Sequence, residues 1–293
     1  MIDDSAVAGR RPGSALKAVR GNWPAAIGLA ILLLATLAAL LGPPLLGQLA
    51  IKQSLFLRLQ PPIWMGGDRH HLLGTDPLGR DILARIIVAA RVSLAVGLVA
   101  VAVSAVVGGL VGLVAGFYGG IADRILMRLA DIQLSVPYIL LAIAIIAVLG
   151  PSLRNVILAL GIGGWPAYAR ILRSQALSIR KKEFIEAAIA IGTRDRHIIL
   201  RHILPQTLGA FSVLASIGVG QVIITESALS FLGLGVQPPD VTWGTMVGDG
   251  RNYLSTAWWV ATLPGVALML VIVAINLVSD WLHESLDPLT SRR

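Results

Sequence analysis

The sequence predicts an all-α membrane protein with six transmembrane helices, and three observations support that fold class. The chain is 56% hydrophobic and only 14% charged, whereas soluble domains carry roughly 25% charged residues. Apolar runs of about 20 residues recur along the chain, and that length crosses the hydrocarbon core of a bilayer. Lysines and arginines gather at the ends of these runs, where positive charge sets membrane topology.

The predicted spans cover residues 25–46, 93–115, 132–149, 153–169, 209–231 and 258–279. The first run has no small-residue cleavage site after it and is too long for the apolar region of a signal peptide, so it is predicted to be a retained anchor. The third and fourth spans are joined by Gly150-Pro151, which predicts a helical hairpin with a tight turn.

The distribution of basic residues predicts the orientation of the spans. If both termini lie inside, 16 of the 24 lysines and arginines also lie inside, as expected from the positive-inside rule. The tails 1–24 and 281–293 and the loop 170–208 are then cytoplasmic. The net charge of +8 is not gathered in one basic patch with interleaved aromatics. Membrane lipid is therefore a predicted partner, and nucleic acid is not.

The first outer loop, residues 47–92, ends in a pattern of its own. Asp81 to Arg91 places its isoleucines on one helical face, which predicts an amphipathic helix that lies at the membrane interface and leads into the second span. A capped turn and an ion pair between Asp81 and Arg85 are expected there. His70-His71 is expected to be solvated, because no cysteine or second acidic cluster completes a metal site.

The polar segment between the fourth and fifth spans predicts a helix–turn–helix. Residues 179–191 form an amphipathic pattern, and Gly192 is predicted to take the left-handed conformation that ends this helix. Thr193 is predicted to cap a second helix, with Asp195 in its first turn. Pro205 marks the start of the next element. This outline alone is equally typical of a connector that lies on the membrane surface.

The same segment carries a family resemblance. Glu-Ala-Ala at 186–188, then Gly192, then His-Ile-Leu-Pro at 202–205 resembles the EAA loop of ABC-importer permeases. His202 stands where the general pattern has isoleucine, and this variant is typical of the dipeptide and oligopeptide branch. Further stretches similar to C-type permease subunits of the dipeptide, oligopeptide and nickel family lie at 73–81, 90–94, 230–239, 243–244, 257–259 and 286–288.

The resemblance, which covers about residues 70–290, implies a fold and a coupling site. It implies the permease fold of a type I ABC importer, with a five-helix core over 93–280 and a cytoplasmic coupling helix. Glu186 would be a polar contact with an ATPase subunit, Ala187 and Ala188 would allow close approach, and Gly192 would supply the turn. The full set of implied coupling residues is Glu183, Glu186, Ala187, Ala188, Gly192, Asp195, His202, Leu204 and Pro205.

The resemblance also implies partners and a location. These are a homologous second permease subunit, two cytoplasmic ATPase domains and an extracytoplasmic substrate-binding protein, in the inner membrane of a bacterial cell. A phosphate-binding P-loop needs Gly-Lys followed by Ser or Thr, and none of the four lysines follows a glycine. The chain is therefore predicted not to be an enzyme and to hold no cofactor or metal, with ATP and Mg bound by the partner ATPase subunits.

The predicted function is a permease subunit of an ATP-driven peptide importer, and several alternatives stay open. Gln221 and Glu226 lie in the fifth span, where polar groups are expensive and usually functional, so both are candidates for the translocation path. Glu226 is alternatively a protonated or hydrogen-bonded residue at a helix interface. Nickel, glutathione or another small solute are alternative cargoes, and a proton-coupled secondary transporter or a scaffold without transport are alternative classes.

Overall fold

The structure, a computed structural model, describes residues 22–286, so most of both predicted tails lies outside the described residues. Apart from an isolated bridge between Thr75 and Asp81, the described residues form helices and loops and no β-structure. The helices are α1 Trp23–Ile51, α2 Ile82–Tyr118, α3 Gly120–Leu134, α4 Tyr138–Leu149, α5 Leu153–Arg180, α6 Glu183–Ala190, α7 Asp195–Ile198, α8 Leu204–Phe231, α9 Trp243–Gly250 and α10 Trp259–Leu286.

Several of these helices have the length and composition of membrane spans. Within the described residues, four stretches are long and apolar enough, namely Trp23–Ile51, Ile82–Tyr118, Asp195–Phe231 and Trp259–Ser285. Together α3 and α4 also qualify, although they are bent by 85° at the break between them. Helix α5 is continuous over 28 residues, but arginines in its second half interrupt its apolar character, and it is not among these stretches. The predicted all-α membrane fold is confirmed, while the count of six spans stays a prediction.

The predicted interfacial helix at 81–91 is not a separate element. It is the first part of α2, which runs without a break for 37 residues, or about 55 Å at 1.5 Å per residue. Ile82, Ala84, Ala89 and Ala90 are buried inside the protein. No glycine or proline interrupts residues 81–96, so nothing in the local sequence ends the helix where it meets the membrane.

The predicted third span, 132–149, is broken in two. The chain leaves the helical conformation after Leu134 and resumes it after Pro137, because proline disfavours the helical conformation in the residue that precedes it. As a result α3 turns away from α4 and lies against α5. Two hydrogen bonds from the Arg173 guanidinium to the Asp123 carboxylate join α3 to α5.

A ridge of glycines brings α2 and α5 into backbone contact. Gly108, Gly112 and Gly116 recur every fourth residue on one face of α2. A Cβ on Gly108 would lie 2.3 Å from the carbonyl oxygen of Trp165, and one on Gly112 would lie 2.4 Å from that of Ala169. Such small-residue ridges let membrane helices approach closely. This helix pair is therefore the tightly packed centre from which the other helices are positioned.

The loop before α2 folds back over the start of that helix. Asp81 caps α2 by accepting a hydrogen bond from Ala84 N at 2.7 Å, and its other oxygen lies 2.9 Å from His71 Nδ1. Arg85 pairs with Asp76 at 3.1 Å. The predicted Asp81–Arg85 pair is therefore wrong, and so is the solvated state of His71, which is 9% exposed. Sequence spacing does not reveal these partners, because they meet only when the loop folds back.

Candidate coupling site

The first part of the coupling segment, which we define as residues 183–205, is helix α6 and the turn that ends it. Glu183 and Glu186 lie in the first turn of α6, where the helix dipole favours negative charge. The N–H of Gly192 donates to Ile189 O at 2.9 Å and that of Thr193 to Ala188 O at 3.0 Å, the bond pair of a Schellman motif. Gly192 has a φ of +77°. The predicted left-handed turn at Gly192 is confirmed.

The second helix of the segment begins differently from the prediction. Arg194 is the N-cap of α7, without a side-chain cap hydrogen bond, so the predicted cap by Thr193 is wrong. Thr193 is instead the last residue of the Schellman turn, in which its N–H donates to Ala188 O. The N-cap position of α7 falls one residue later, at Arg194. Asp195 lies in the first turn of α7 as predicted.

The segment continues directly into the fifth membrane helix. A wider π-helical turn, Ile199–Ile203, joins α7 to α8. Pro205 explains this irregularity, because it has no N–H to donate to the preceding turn. The stretch Asp195–Phe231 is therefore long enough to count as one span, where the sequence predicts a span only from residue 209. A displacement of the coupling segment would act directly on this helix.

Three isoleucines fasten the segment to the rest of the protein. Ile185, Ile198 and Ile203 are each 0% exposed and pack in one cluster with Leu172 and Ile179 of α5. Burying a side chain of this size stabilises a protein by about 1.5–3 kcal/mol. The coupling segment is thus a rigid attachment on α5 and α8.

The opposite face of the segment is open. Glu183, Glu186 and Ala187 are exposed, and Ala188 is half-buried against the isoleucine cluster. Ile191, at the end of α6, is 82% exposed. Sequence reasoning missed Ile191, although an apolar side chain directly before the turn glycine was a usable signal. Ile191 and Ala187 thus form a small apolar patch next to exposed carboxylates, and both kinds of group are accessible to a protein partner.

The remaining predicted coupling residues lie where α6 meets the π-helical turn. The His202 ring lies 5.9 Å from that of His197 and 6.4 Å from that of Phe184, measured between ring centres. Leu204 is partly buried against the isoleucine cluster. Pro205 is exposed. The structure therefore gathers the predicted residues of the segment on one compact unit.

The two predicted path residues differ in their surroundings. Gln221 is exposed on α8. Glu226 is 1% exposed, and its Oε1 accepts hydrogen bonds from Ser230 Oγ at 2.7 Å and Thr242 Oγ1 at 2.9 Å. Glu226 thus has the environment of a hydrogen-bonded residue at a helix interface.

Glu226 belongs to a larger set of buried polar contacts, which we call the Glu226 network: Ser93, Glu226, Ser230, Thr242 and Trp243. Trp243 N donates to Ser93 Oγ at 3.0 Å, and Trp243 Nε1 donates to Ile86 O at 2.9 Å. The network ties α9 to both α2 and α8. Among the described residues, no group of three or more histidine, aspartate or glutamate side chains is placed to hold a metal ion.

Comparisons with known proteins agree with this geometry. Residues 108–292 match the family described as the binding-protein-dependent transport system inner membrane component. The chain is 42% identical over 274 residues to a dipeptide transport system permease protein of Alkalihalophilus pseudofirmus, with 94% of this chain and 88% of the relative covered. It is 44% identical over 223 residues to a glutathione transport system permease protein of Pectobacterium atrosepticum, with coverages of 76% and 74%.

A solved structure shows the same fold. An inward-facing form of the MetNI methionine ABC transporter superposes with a TM-score of 0.57 at 21% identity, covering 70% of this chain and 98% of that one. The predicted importer-permease fold is confirmed. The chain therefore belongs to the binding-protein-dependent transport system inner membrane components, a family of non-enzymatic permeases in bacterial ABC transporters.

Proposed function

We propose that this chain is one of two homologous permease subunits in an ATP-driven importer of short peptides. The coupling segment carries this proposal, because one of its faces is anchored by buried isoleucines and its opposite face is exposed. The cargo is inferred from the relatives, which include a dipeptide permease and a di/tripeptide permease that is 41% identical over 262 residues. The glutathione permease relative makes a modified tripeptide the second candidate cargo.

The coupling segment would dock into a cytoplasmic ATPase subunit. Glu186 and Ala187 are exposed next to the apolar Ile191, so a cleft could receive the apolar patch while it pairs with the carboxylate at the rim. Closure of two ATPase domains around ATP and Mg would then move α6. The buried isoleucines would pass that movement to α5 and α8, as one packed body moves another in alternating access.

The translocation path would lie between this chain and the second permease. The four or five candidate spans of the described residues are few to enclose a peptide path alone. Large apolar side chains are exposed along the membrane helices, in keeping with contact with lipid or a second subunit. Gln221, exposed on α8, is the proposed path residue. Both termini would be cytoplasmic, and a substrate-binding protein would deliver peptide from outside.

The test is ATP-dependent uptake of a labelled dipeptide by the complete transporter in proteoliposomes, with binding protein supplied outside. We expect Gly192→Pro to abolish uptake, because proline fixes φ near −65° where the turn requires +77°. The variant should still insert into the membrane and assemble with the second permease. Full uptake by the Gly192→Pro transporter would overturn the coupling role.

A further inference from the structure

A cavity on the predicted outer side is separate from the coupling site. It has a volume of about 600 Å³ and lies between the end of α1, the start of α2 and the stretch 230–253. Small-molecule sites usually have volumes of roughly 300–1,000 Å³. We call it the Arg85 cavity; its lining includes Arg80, Arg85, Val236, Gln237, Asp249 and Arg251.

The central cation of the cavity is poorly neutralised. The Arg85 side chain is 7% exposed, and its Nη1 lies 3.1 Å from Asp76 Oδ2. The same oxygen accepts a 2.6 Å hydrogen bond from Arg80 Nε. One carboxylate therefore serves two guanidinium groups. The other end of Arg85 has only a long contact, 3.7 Å from Nη2 to Asp249 Oδ2.

Asp249 is a weakly held counterion. Its side chain is 56% exposed, so water can hydrate its own charge when it turns away from Arg85. Loss of hydration beside the cavity raises the pKa of its carboxyl, although Arg85 opposes that shift. Because the N···O distance is 3.7 Å and the carboxylate is more than half exposed, water competes with Arg85 for Asp249 and weakens the ion pair. A ligand carboxylate could therefore displace Asp249 from Arg85 at small cost.

Arg85 itself is held ready for such a ligand. Asp76 is fixed by hydrogen bonds from Leu78 N at 2.8 Å and Arg80 N at 2.9 Å, and it holds one end of the Arg85 guanidinium. A guanidinium whose position is already fixed loses little freedom when it binds a carboxylate through its remaining N–H groups. The buried side chain is thus preorganised with its open end toward the cavity.

The rest of the cavity suits the other parts of a short peptide. Gln237 and Thr245 line it with an amide and a hydroxyl, while Val88 and Val236 add apolar surface. Arg251 supplies a further cation, fixed by a 2.7 Å hydrogen bond from its Nη1 to Phe231 O. The cavity therefore brings together three kinds of group. It offers hydrogen-bonding groups for peptide amides, apolar surface for side chains and an anchored cation for a carboxylate.

We propose that the Arg85 cavity is a transient binding site on the outer side of the transporter, in which Arg85 exchanges Asp249 for the terminal carboxylate of the imported peptide. The proposal rests on the proposed peptide-import function. Arg85 touches the cargo, and Asp249 is its counterion when the cavity is empty. The concave cavity of about 600 Å³ favours a small cargo molecule over a broad protein surface as the source of the carboxylate.

The experiment compares uptake of one tripeptide as its free acid and as its C-terminal amide, using the complete transporter in proteoliposomes. The ratio of acid to amide uptake is measured for each variant with the same binding protein, so the preference of the binding protein cancels when variant and wild type are compared. We expect Arg85→Gln to lower this ratio by about 10-fold, because a site built for a hydrogen-bonded group discriminates strongly against its absence.

Two variants at exposed positions guard against misfolding of Arg85→Gln. Gln237→Glu adds a competing carboxylate and should lower the acid-to-amide ratio severalfold. Asp249→Asn removes the resting counterion and should lower the KM for the acid without changing that for the amide. An unchanged ratio in Gln237→Glu, together with an unchanged KM in Asp249→Asn, would overturn the proposal.

The remaining outcomes separate this proposal from the one on which it rests. Equal loss of acid and amide uptake in Arg85→Gln would refute the cargo site and indicate a structural role or a carboxylate of the binding protein. ATP-dependent peptide uptake with wild-type ratios in all three variants would leave the import function intact. Absence of peptide uptake by the wild-type transporter would overturn the import function itself.

Discussion

The coupling segment and the Glu226 network are both attached to α8, yet they are attached by opposite chemistry. Ile185, Ile198 and Ile203 hold the coupling segment by apolar burial and leave its charged groups exposed. In the network the polar groups themselves are buried and bonded to one another. Apolar burial is non-directional and depends on the area removed from water, whereas hydrogen bonds require particular positions. The coupling segment is therefore held by its apolar face while its charged face stays accessible, whereas the network fixes α2, α8 and α9 relative to one another.

The largest effect is expected from truncating an isoleucine under the coupling segment. Ile198→Ala removes a side chain that is 0% exposed, and such core truncations cost about 2–5 kcal/mol. Thermal unfolding of the detergent-solubilised chain measures the loss, and hydrogen exchange should show it concentrated in residues 183–205. Uniform loss of protection across all helices would contradict the view that these isoleucines hold the segment in particular.

The stability of the Glu226 network should depend on whether residue 226 can accept hydrogen bonds. Glu226→Ala leaves the hydroxyls of Ser230 and Thr242 without their shared acceptor, and we expect a loss of about 1–3 kcal/mol in unfolding free energy. Glu226→Gln keeps a carbonyl oxygen and should recover most of the loss. Equal destabilisation by the two variants would mean that the charge, rather than the hydrogen bonds, stabilises the network.

Comparing Gly192 with Gly209 tests the effect of backbone strain in the absence of a steric clash. A Cβ on either Gly192 or Gly209 would meet no atom within 4 Å, but only Gly192 has a positive φ. Gly192→Ala should therefore cost about 1–2 kcal/mol in the coupling segment, whereas Gly209→Ala in α8 should be neutral or slightly stabilising. Hydrogen exchange of Thr193, whose N–H closes the turn, is the local measurement. Unchanged protection there in Gly192→Ala would refute the strain argument.

Replacing Ile191 should have the smallest effect on stability but should clearly weaken binding of the ATPase subunits. Ile191 is 82% exposed, so Ile191→Ala should change the unfolding free energy by less than about 0.5 kcal/mol. Co-purification of the ATPase subunits with the permease pair should nevertheless fall, because the variant removes the apolar patch beside Glu186. Ile162→Ala, at a residue 49% exposed on α5, is the control. Equal ATPase recovery from both variants would exclude Ile191 from the docking surface.

Much of the coupling segment could be predicted because its signals are local. The Glu-Ala-Ala run, the turn at Gly192 and Asp195 in the following helical turn are all determined within a few residues. The Thr193 cap was wrong for an equally local reason, since the turn that Gly192 forms uses Thr193 as its last residue. The break at Pro137 has a local signal too, because proline disfavours the helical conformation in the residue before it, but the apolar residues on both sides of it are equally typical of one continuous span.

The sequence by itself determined the fold class, most of the long apolar helices and the position of the coupling segment, because hydrophobicity and turn residues act over short distances. Only the tertiary structure decided the partners of the buried polar groups. Arg85 has a carboxylate four residues before it, yet it pairs with Asp76 and reaches Asp249. Glu226 binds a hydroxyl from α9. Residues distant in sequence meet only when helices pack, and a buried charge takes the partner that packing brings to it.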